Sequence, residues 1–236
     1  MAWTAALAPN KHVAHWIDQG LWILFGALLG GRLVHVVSVW PYYVDRPQDI
    51  PQVWLGGLSG TGALAGGLLA LGLLAIIIRQ NLGALADRYL PLATALVVSA
   101  WLAGWADGVA YGAETAAWWG LPAIDEWGNL SRRAPLQMLA AILSLVVFWY
   151  ADRRRHPKHP GAAGSLALSG LGLLIFATAL LRADPSPGWV GLRPEAWAGL
   201  GFTLLAGLVF LLARFPLRWR RRTSPAGDTD VLQNTS

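Results

Sequence analysis

Apolar residues in this chain gather into six runs, at residues 16–39, 54–78, 89–111, 135–151, 163–181 and 196–215, and no other feature constrains its fold as much. A helix rises about 1.5 Å per residue, so roughly 20 mostly apolar residues are needed to cross about 30 Å of hydrocarbon. Each run predicts a transmembrane helix, because a helix satisfies its own backbone N–H and C=O groups where there is no water to do so. A content of 55% hydrophobic and only 13% charged residues, with a mean hydropathy of +0.46, is too apolar for one water-soluble domain of 236 residues. The expected class is all-α: a polytopic protein with about six spans. The first run lacks a short apolar core followed by a small-residue cleavage site, so it is expected to stay in the mature protein.

Orientation is read from the cations. Lys11, Arg79, Arg88, Arg153, Arg154, Arg155, Lys158, Arg214, Arg218, Arg220, Arg221 and Arg222 fall on one side of the runs, and Arg46, Arg132, Arg133, Arg182 and Arg193 on the other. Short cation-rich loops resist translocation, so the richer side is predicted to be cytoplasmic and to hold both termini. The sequence pI near 10.1 is therefore topogenic, and no nucleic acid is expected as a partner. The outward loops, 40–53, 112–134 and 182–195, hold Pro, Trp, Tyr and most of the acids, and are expected to lie against the outer leaflet. Residues 1–222 are read as one membrane domain, and the polar stretch 223–236 as a disordered tail. No repeat of fixed period is evident, which argues against a transporter with duplicated halves.

With no cysteine, the chain can build neither a disulfide nor a thiolate metal site, and no metal or cofactor is expected. The second run opens on Gly56, Gly57, Gly60, Gly62, Gly66 and Gly67. Such density suits either close helix packing or a broken helix lining a cavity. An unpaired ion inside a span costs at least about 2.5–3.5 kcal/mol, so Arg32 and Asp107, near the outward ends of the first and third runs, need partners. Either they pair with each other, or Arg32 presents its planar fork to a lipid phosphate with His35 on the same face. Arg132 and Arg133 lie on the side poor in cations, where they either snorkel or approach headgroups. Arg153–Arg155 and Arg220–Arg222 read as cytoplasmic anchors.

Several ordered motifs share one resemblance. Gly30-Gly31-Arg32-Leu33 leads to Trp40-Pro41-Tyr42-Tyr43, and then comes Trp54-Leu-Gly-Gly-Leu-Ser-Gly-Thr-Gly-Ala-Leu-Ala-Gly. Gly108-Val-Ala-Tyr111-Gly112 follows, then Trp127-Gly128 with Arg133, Pro135 and Gln137, and finally Arg182 with Asp184. Together they resemble the prolipoprotein diacylglyceryl transferases, whose motifs run Gly-Ala-Arg-Leu-Gly-Tyr, Trp-Glu-Gly-Gly-Met-Ser-Phe-His-Gly-Gly, Gly-Glu-Leu-Tyr-Gly, Arg-His-Pro-x-Gln and Phe-Phe-Arg-x-x-Asp. The likeness spans roughly residues 9–212. It implies a membrane enzyme, without cofactor, that moves diacylglyceryl from phosphatidylglycerol to the lipobox cysteine of a prelipoprotein in the bacterial inner membrane.

Carried over residue by residue, the resemblance implies a substrate site of Arg32, Tyr43, Trp54, Gly56, Gly57, Ser59, Thr61, Gly62, Tyr111, Gln137 and Arg182. Arg133 is the implied catalytic cation, and Asp107 or Glu114 the expected proton acceptor. This chain departs from the family at Thr61, which stands at a histidine, at Trp101, at an arginine, and at Gly104 and Val109, at an asparagine and a glutamate. Ala134, Leu139 and Ala140 replace a histidine and a Tyr-Glu pair. The family usually has seven spans, against six here. A lipid-binding or partner-binding protein on the same scaffold is the competing reading.

Overall fold

A computed structural model describes residues 13–214 except Glu126, Pro157, Lys158, Pro187 and Trp189, with only the backbone given for 212–214. The polar stretch 223–236 lies outside the described residues. The elements are α1 (Val13–Ser38), α2 (Trp40–Val44), single 3-10 turns at Pro47–Asp49 and Val53–Leu55, α3 (Gly60–Ile77), α4 (Leu82–Arg88) and α5 (Leu90–Ala106). They continue with β1 (Leu121–Ile124), β2 (Leu130–Arg133), α6 (Leu136–Arg153), α7 (Ala162–Leu181) and α8 (Pro194–Arg214). Among the described residues the fold is all-α apart from that one hairpin. Five helices are long and apolar enough to span a bilayer, and α4 with α5, meeting at a 58° bend, makes a sixth span if taken as one.

The bend has a covalent cause. Tyr89 ends α4 and begins α5, and Pro91 stands in the first turn of α5. Proline has no N–H to give and its ring collides with the carbonyl four residues back, so α4 cannot run straight on.

Two helix boundaries differ from the hydropathy reading. The second run was expected from residue 54, but the helix begins at Gly60, with the Ser59 hydroxyl accepting the Gly62 N–H at 3.2 Å. Gly56 and Gly57, at φ +89° and +75°, turn the preceding chain instead. The third run was expected to reach 111, but α5 stops at Ala106 and the chain leaves it through Gly108 at φ +66° and Ala110 at φ +61°. None of these three glycines is distinguishable from a helical one by hydropathy.

The glycine-rich face of α3 packs on α1. A Cβ on Gly30 would lie 2.5 Å from the Gly62 carbonyl oxygen and 2.7 Å from the Gly66 Cα, so the two backbones touch where side chains would normally keep them apart. That is the close-packing alternative for this segment. A cluster of Ile23, Leu71, Leu74, Leu85, Tyr89 and Leu92 then joins α1, α3, α4 and α5. A second, of Leu90, Phe148, Ala151, Ala163, Ala167 and Leu171, joins α5, α6 and α7.

Polar contacts identify the two ends of the bundle. Tyr89 Oη donates to Trp16 O at 3.1 Å, and the Asp87 carboxylate accepts the N–H groups of Gly161 and Gly164 at 2.7 Å each. The start of α1, the α3–α5 turn and the α6–α7 loop therefore share one end. The long loops 39–59, 107–135 and 182–193 lie at the other, where the candidate site residues collect.

Candidate functional site

Arg32 is buried near the last turn of α1, and its guanidinium is occupied by backbone carbonyls. Nε donates to Ile50 O at 2.8 Å, Nη1 to Gly56 O at 2.7 Å and Gly57 O at 3.0 Å, and Nη2 to Asp49 O at 2.6 Å. Its Cζ lies 5.3 Å from the centre of the buried Tyr43 ring. The cation is thus stabilised by four carbonyl dipoles and a ring face, and the 49–57 loop is fixed in turn. The Arg32–Asp107 ion pair, one of the two alternatives for these charges, is not among those of the described residues. Ser59 and Thr61 join through their hydroxyls at 3.0 Å, and Trp54 is 74% exposed on the loop. Gly62 faces Gly30 in the helix contact rather than an open cavity.

A second constellation forms around residues 110–115, which run alongside β2. Gly112 N donates to Ala134 O at 3.2 Å, Ala134 N to Ala113 O at 3.0 Å, and Thr115 N to Arg132 O at 2.9 Å. On the opposite edge, Ala183 N donates to Tyr111 O at 2.9 Å, and Gly112 bridges Arg182. Backbone pairing therefore brings Arg133 and Arg182 to the two flanks of one short segment, through isolated bridges at Gly112 and Glu114.

Arg133, with its side chain 10% exposed, meets Glu114 Oε1 at 3.1 Å and Asp125 Oδ2 at 3.3 Å through Nη2, and its Cζ stands 4.3 Å over the Tyr111 ring. Its Nε is buried with no hydrogen-bond partner among the described residues. A buried, unmet guanidinium donor is costly, and such a group calls for a partner, whether an ordered water, an ion or a bound substrate. Glu114 is 65% exposed at the side chain, so one carboxylate of the trio is open to the surface. Asp125 is buried in the hairpin turn. Burial alone would raise its pKa, but N–H groups of Asn129 and Trp127 and the nearby Arg133 charge hold it below the usual carboxylate range.

Arg182 makes a two-toothed contact with Asp184, with Nε to Oδ1 at 2.8 Å, and lies 3.6 Å from Glu195. Arg193 Nη1 meets the same Asp184 at 3.3 Å. Burial pushes the Asp184 pKa up, but the Arg182 hydrogen bonds, both guanidinium charges and the Ala110 N–H outweigh it and hold the carboxyl low. Gln137, at 2% exposure, donates from Nε2 to Val109 O at 2.7 Å.

The structure thus gathers Tyr111, Glu114, Arg133, Gln137 and Arg182 at one place. Arg32, Tyr43, Gly56 and Gly57 form another, and no hydrogen bond or ion pair among the described residues links the two. Asp107 is exposed at the end of α5 and contributes its N–H to Ala103 O at 2.9 Å, with no side-chain bond to either group. Asp125 and Arg193 were not singled out from sequence. Asp125 had a signal, since aspartate four residues before an asparagine, with Gly128 between, marks a turn.

The family model for prolipoprotein diacylglyceryl transferase matches residues 1–213. The chain belongs to that family. A relative from Nitratidesulfovibrio vulgaris is 30% identical over 193 residues, which cover 79% of this chain and 70% of the relative. Another, from Coxiella burnetii, is 27% identical over 234 residues, covering 94% and 87%. One from Hydrogenovibrio crunogenus is 27% identical over 228 residues, covering 91% and 83%. All three are named phosphatidylglycerol–prolipoprotein diacylglyceryl transferase. Membership in the transferase family agrees with the resemblance read from the motifs, and with the helical membrane fold.

Proposed function

We propose that this chain transfers diacylglyceryl from phosphatidylglycerol to the lipobox cysteine of a prolipoprotein, at the outer face of the bacterial inner membrane with both termini in the cytoplasm. The observation that carries the reading is Arg133, a nine-tenths buried cation with an unmet Nε, touching an exposed carboxylate, Glu114, at 3.1 Å. A thiol of pKa about 8.5 is mostly protonated at neutral pH, so its proton must be taken. Glu114 accepts it. The sulfur then attacks the glyceryl carbon bound to phosphate, the C–S bond forms, and the C–O bond breaks with its electron pair leaving on glycerol phosphate. Arg133 meets the charge of that departing group, where a well-placed donor is worth about a hundredfold or more in rate. Arg32 acts on the lipid through the 49–57 loop that it holds, and Arg182 bridges to Gly112, next to Tyr111.

One set of residues favours a second reading, a lipid-binding or partner-binding scaffold without turnover. Trp101, Gly104 and Val109 are uncharged where the family has polar groups, and Val109 gives its carbonyl to Gln137. Rescue decides between them: the gene is expressed in cells depleted of their own transferase, and lipoprotein modification is followed. Restored modification supports transfer. Failure to restore it, with the protein present in the membrane, supports the scaffold.

A further inference from the structure

The β1–β2 hairpin carries apolar side chains at its tip. In its register Ile124 lies opposite Leu130, and alternation along both strands puts the pair on the exposed face together with Pro122 and Arg132. Ile124 is 55% exposed, and Leu130 and the turn residue Trp127 are 71% exposed each. Asp125 shapes the turn that displays Trp127, accepting the N–H groups of Trp127 at 3.0 Å and Asn129 at 2.8 Å. Arg132 stands two residues nearer the base of the hairpin than Leu130, about 7 Å along the strand, which is close to the thickness of a headgroup layer. Its Nε and Nη2 donate to Gly120 O at 3.2 and 3.0 Å, and Nη2 to Trp118 O at 3.2 Å. Apolar tip and cation are thus spaced as acyl chain and phosphate are.

The place of the tip in the bundle says what covers it. A Cβ on Gly108 would lie 2.7 Å from Ile124 O, and a cleft of about 230 Å³ is lined by Trp105, Ala106 and Gly108 on one side and Pro122, Ala123 and Ile124 on the other. The hairpin therefore folds back beside the last turn of α5, where that helix leaves the hydrocarbon, and Trp105 in that turn is exposed as well. The outer edge of β1 is unpaired among the described residues. Such an edge cannot lie in hydrocarbon, where its N–H and C=O groups would go unmet. Water all round would instead leave Ile124, Trp127 and Leu130 exposed together. The interface between the two suits both edge and tip, and tryptophan favours it.

We propose that the β1–β2 hairpin dips into the membrane. Ile124, Trp127 and Leu130 enter the acyl-chain border of the phospholipid leaflet around the end of α5, and Arg132 stays at the level of the phosphates. Because Asp125 Oδ2 also meets Arg133 Nη2 at 3.3 Å, the anchored turn holds Arg133, and Glu114 beside it, at headgroup depth. The proposal does not rest on the transfer reading, since it concerns where the site stands and holds equally for a lipid-binding scaffold.

The absence of native cysteine makes the test direct. Ile124→Cys, Trp127→Cys and Leu130→Cys are each labelled with a nitrobenzoxadiazole dye and placed in nanodiscs of phosphatidylcholine and phosphatidylglycerol. Lipids with a nitroxide high on the acyl chain should quench these dyes at least about twice as strongly as lipids with one near the chain end, and iodide should quench them at least about twofold less than free dye. Leu204→Cys, midway along α8 and exposed to lipid, should show the reverse order of the two nitroxides. Strong iodide quenching without a nitroxide effect would put the hairpin in water. Protection from both quenchers would mean that a second copy or another protein covers it, and stronger quenching by the deep nitroxide would put the strand edge in hydrocarbon. Each of these three results overturns the proposal. Gly108→Ala, which drives a methyl group against Ile124 O, should lift the hairpin and cut the shallow-nitroxide quenching of the Trp127→Cys dye by about half. Unchanged quenching in that double variant contradicts the seat of the hairpin on α5.

Discussion

Gly30→Ala adds one methyl group within the close α1–α3 contact, and its cost can be worked from the backbone. The new Cβ would lie 2.5 Å from Gly62 O and 2.7 Å from Gly66 Cα, both backbone atoms with no rotamer in which to retreat. Ordinary van der Waals contact begins near 3.4 Å, so the helices must part by almost an ångström. Overpacking of this kind costs about 1–3 kcal/mol, and a domain of this size loses roughly 2–4 °C of melting temperature per kcal/mol. The expected drop is therefore about 2–12 °C, read from tryptophan fluorescence on heating in detergent. Gly72→Ala is the matched control on α3, because a Cβ there meets nothing within 4 Å. It should be neutral, or slightly stabilising through helix propensity. Equal melting of the two variants would refute the claim that backbone contact through these glycines holds α1 on α3.

Arg32→Gln should free the 49–57 loop, since an amide cannot reach four carbonyls, and proteolysis at the loop should accelerate; Arg32→Lys should rescue it poorly because an ammonium lacks the planar fork. Unaltered proteolysis in both would mean the loop is held by other contacts. Single cysteines at Asp45 and Glu126 should react with an impermeant maleimide in intact spheroplasts, and those at Asn81 and Pro157 should not; labelling at Pro157 would reverse the orientation. Because Asp184 is held below its unfolded value of about 3.9, its contribution is complete above that pH and is lost as pH falls through the lower folded value. Stability of Asp184→Asn should therefore fall less than that of the parent below about pH 4, and parallel losses would show that the carboxylate gains nothing from Arg182 and Arg193.

The spans were legible because length and hydropathy are local properties: α1, α6, α7 and α8 begin and end within three residues of the runs. Their neighbours were less so. Gly56, Gly57 and Gly108 read as apolar or neutral in a hydropathy window, yet with their positive φ angles α3 starts late and α5 ends early. The hairpin β1–β2 was missed because strands of four residues, one of them containing Pro122, carry too little alternation to see. Motif order brought Arg133, Tyr111 and Gln137 to attention. What it could not show was the partner of each cation: Arg32 meets carbonyls 17 to 25 residues away, and Ala183 reaches back to Tyr111, contacts that only the folded chain brings together.

The pairing of Glu114 with Arg133 as acceptor and cation of diacylglyceryl transfer is tested most directly by turnover itself. Purified protein is mixed with labelled phosphatidylglycerol and a lipobox peptide, and the thioether product is followed for wild type, Glu114→Gln and Arg133→Gln, with Arg154→Gln as a cation change at the far end of the bundle. The account predicts product from wild type and Arg154→Gln, and a loss of about a hundredfold or more for each of the other two. No product from wild type, or full activity in Glu114→Gln, would contradict it.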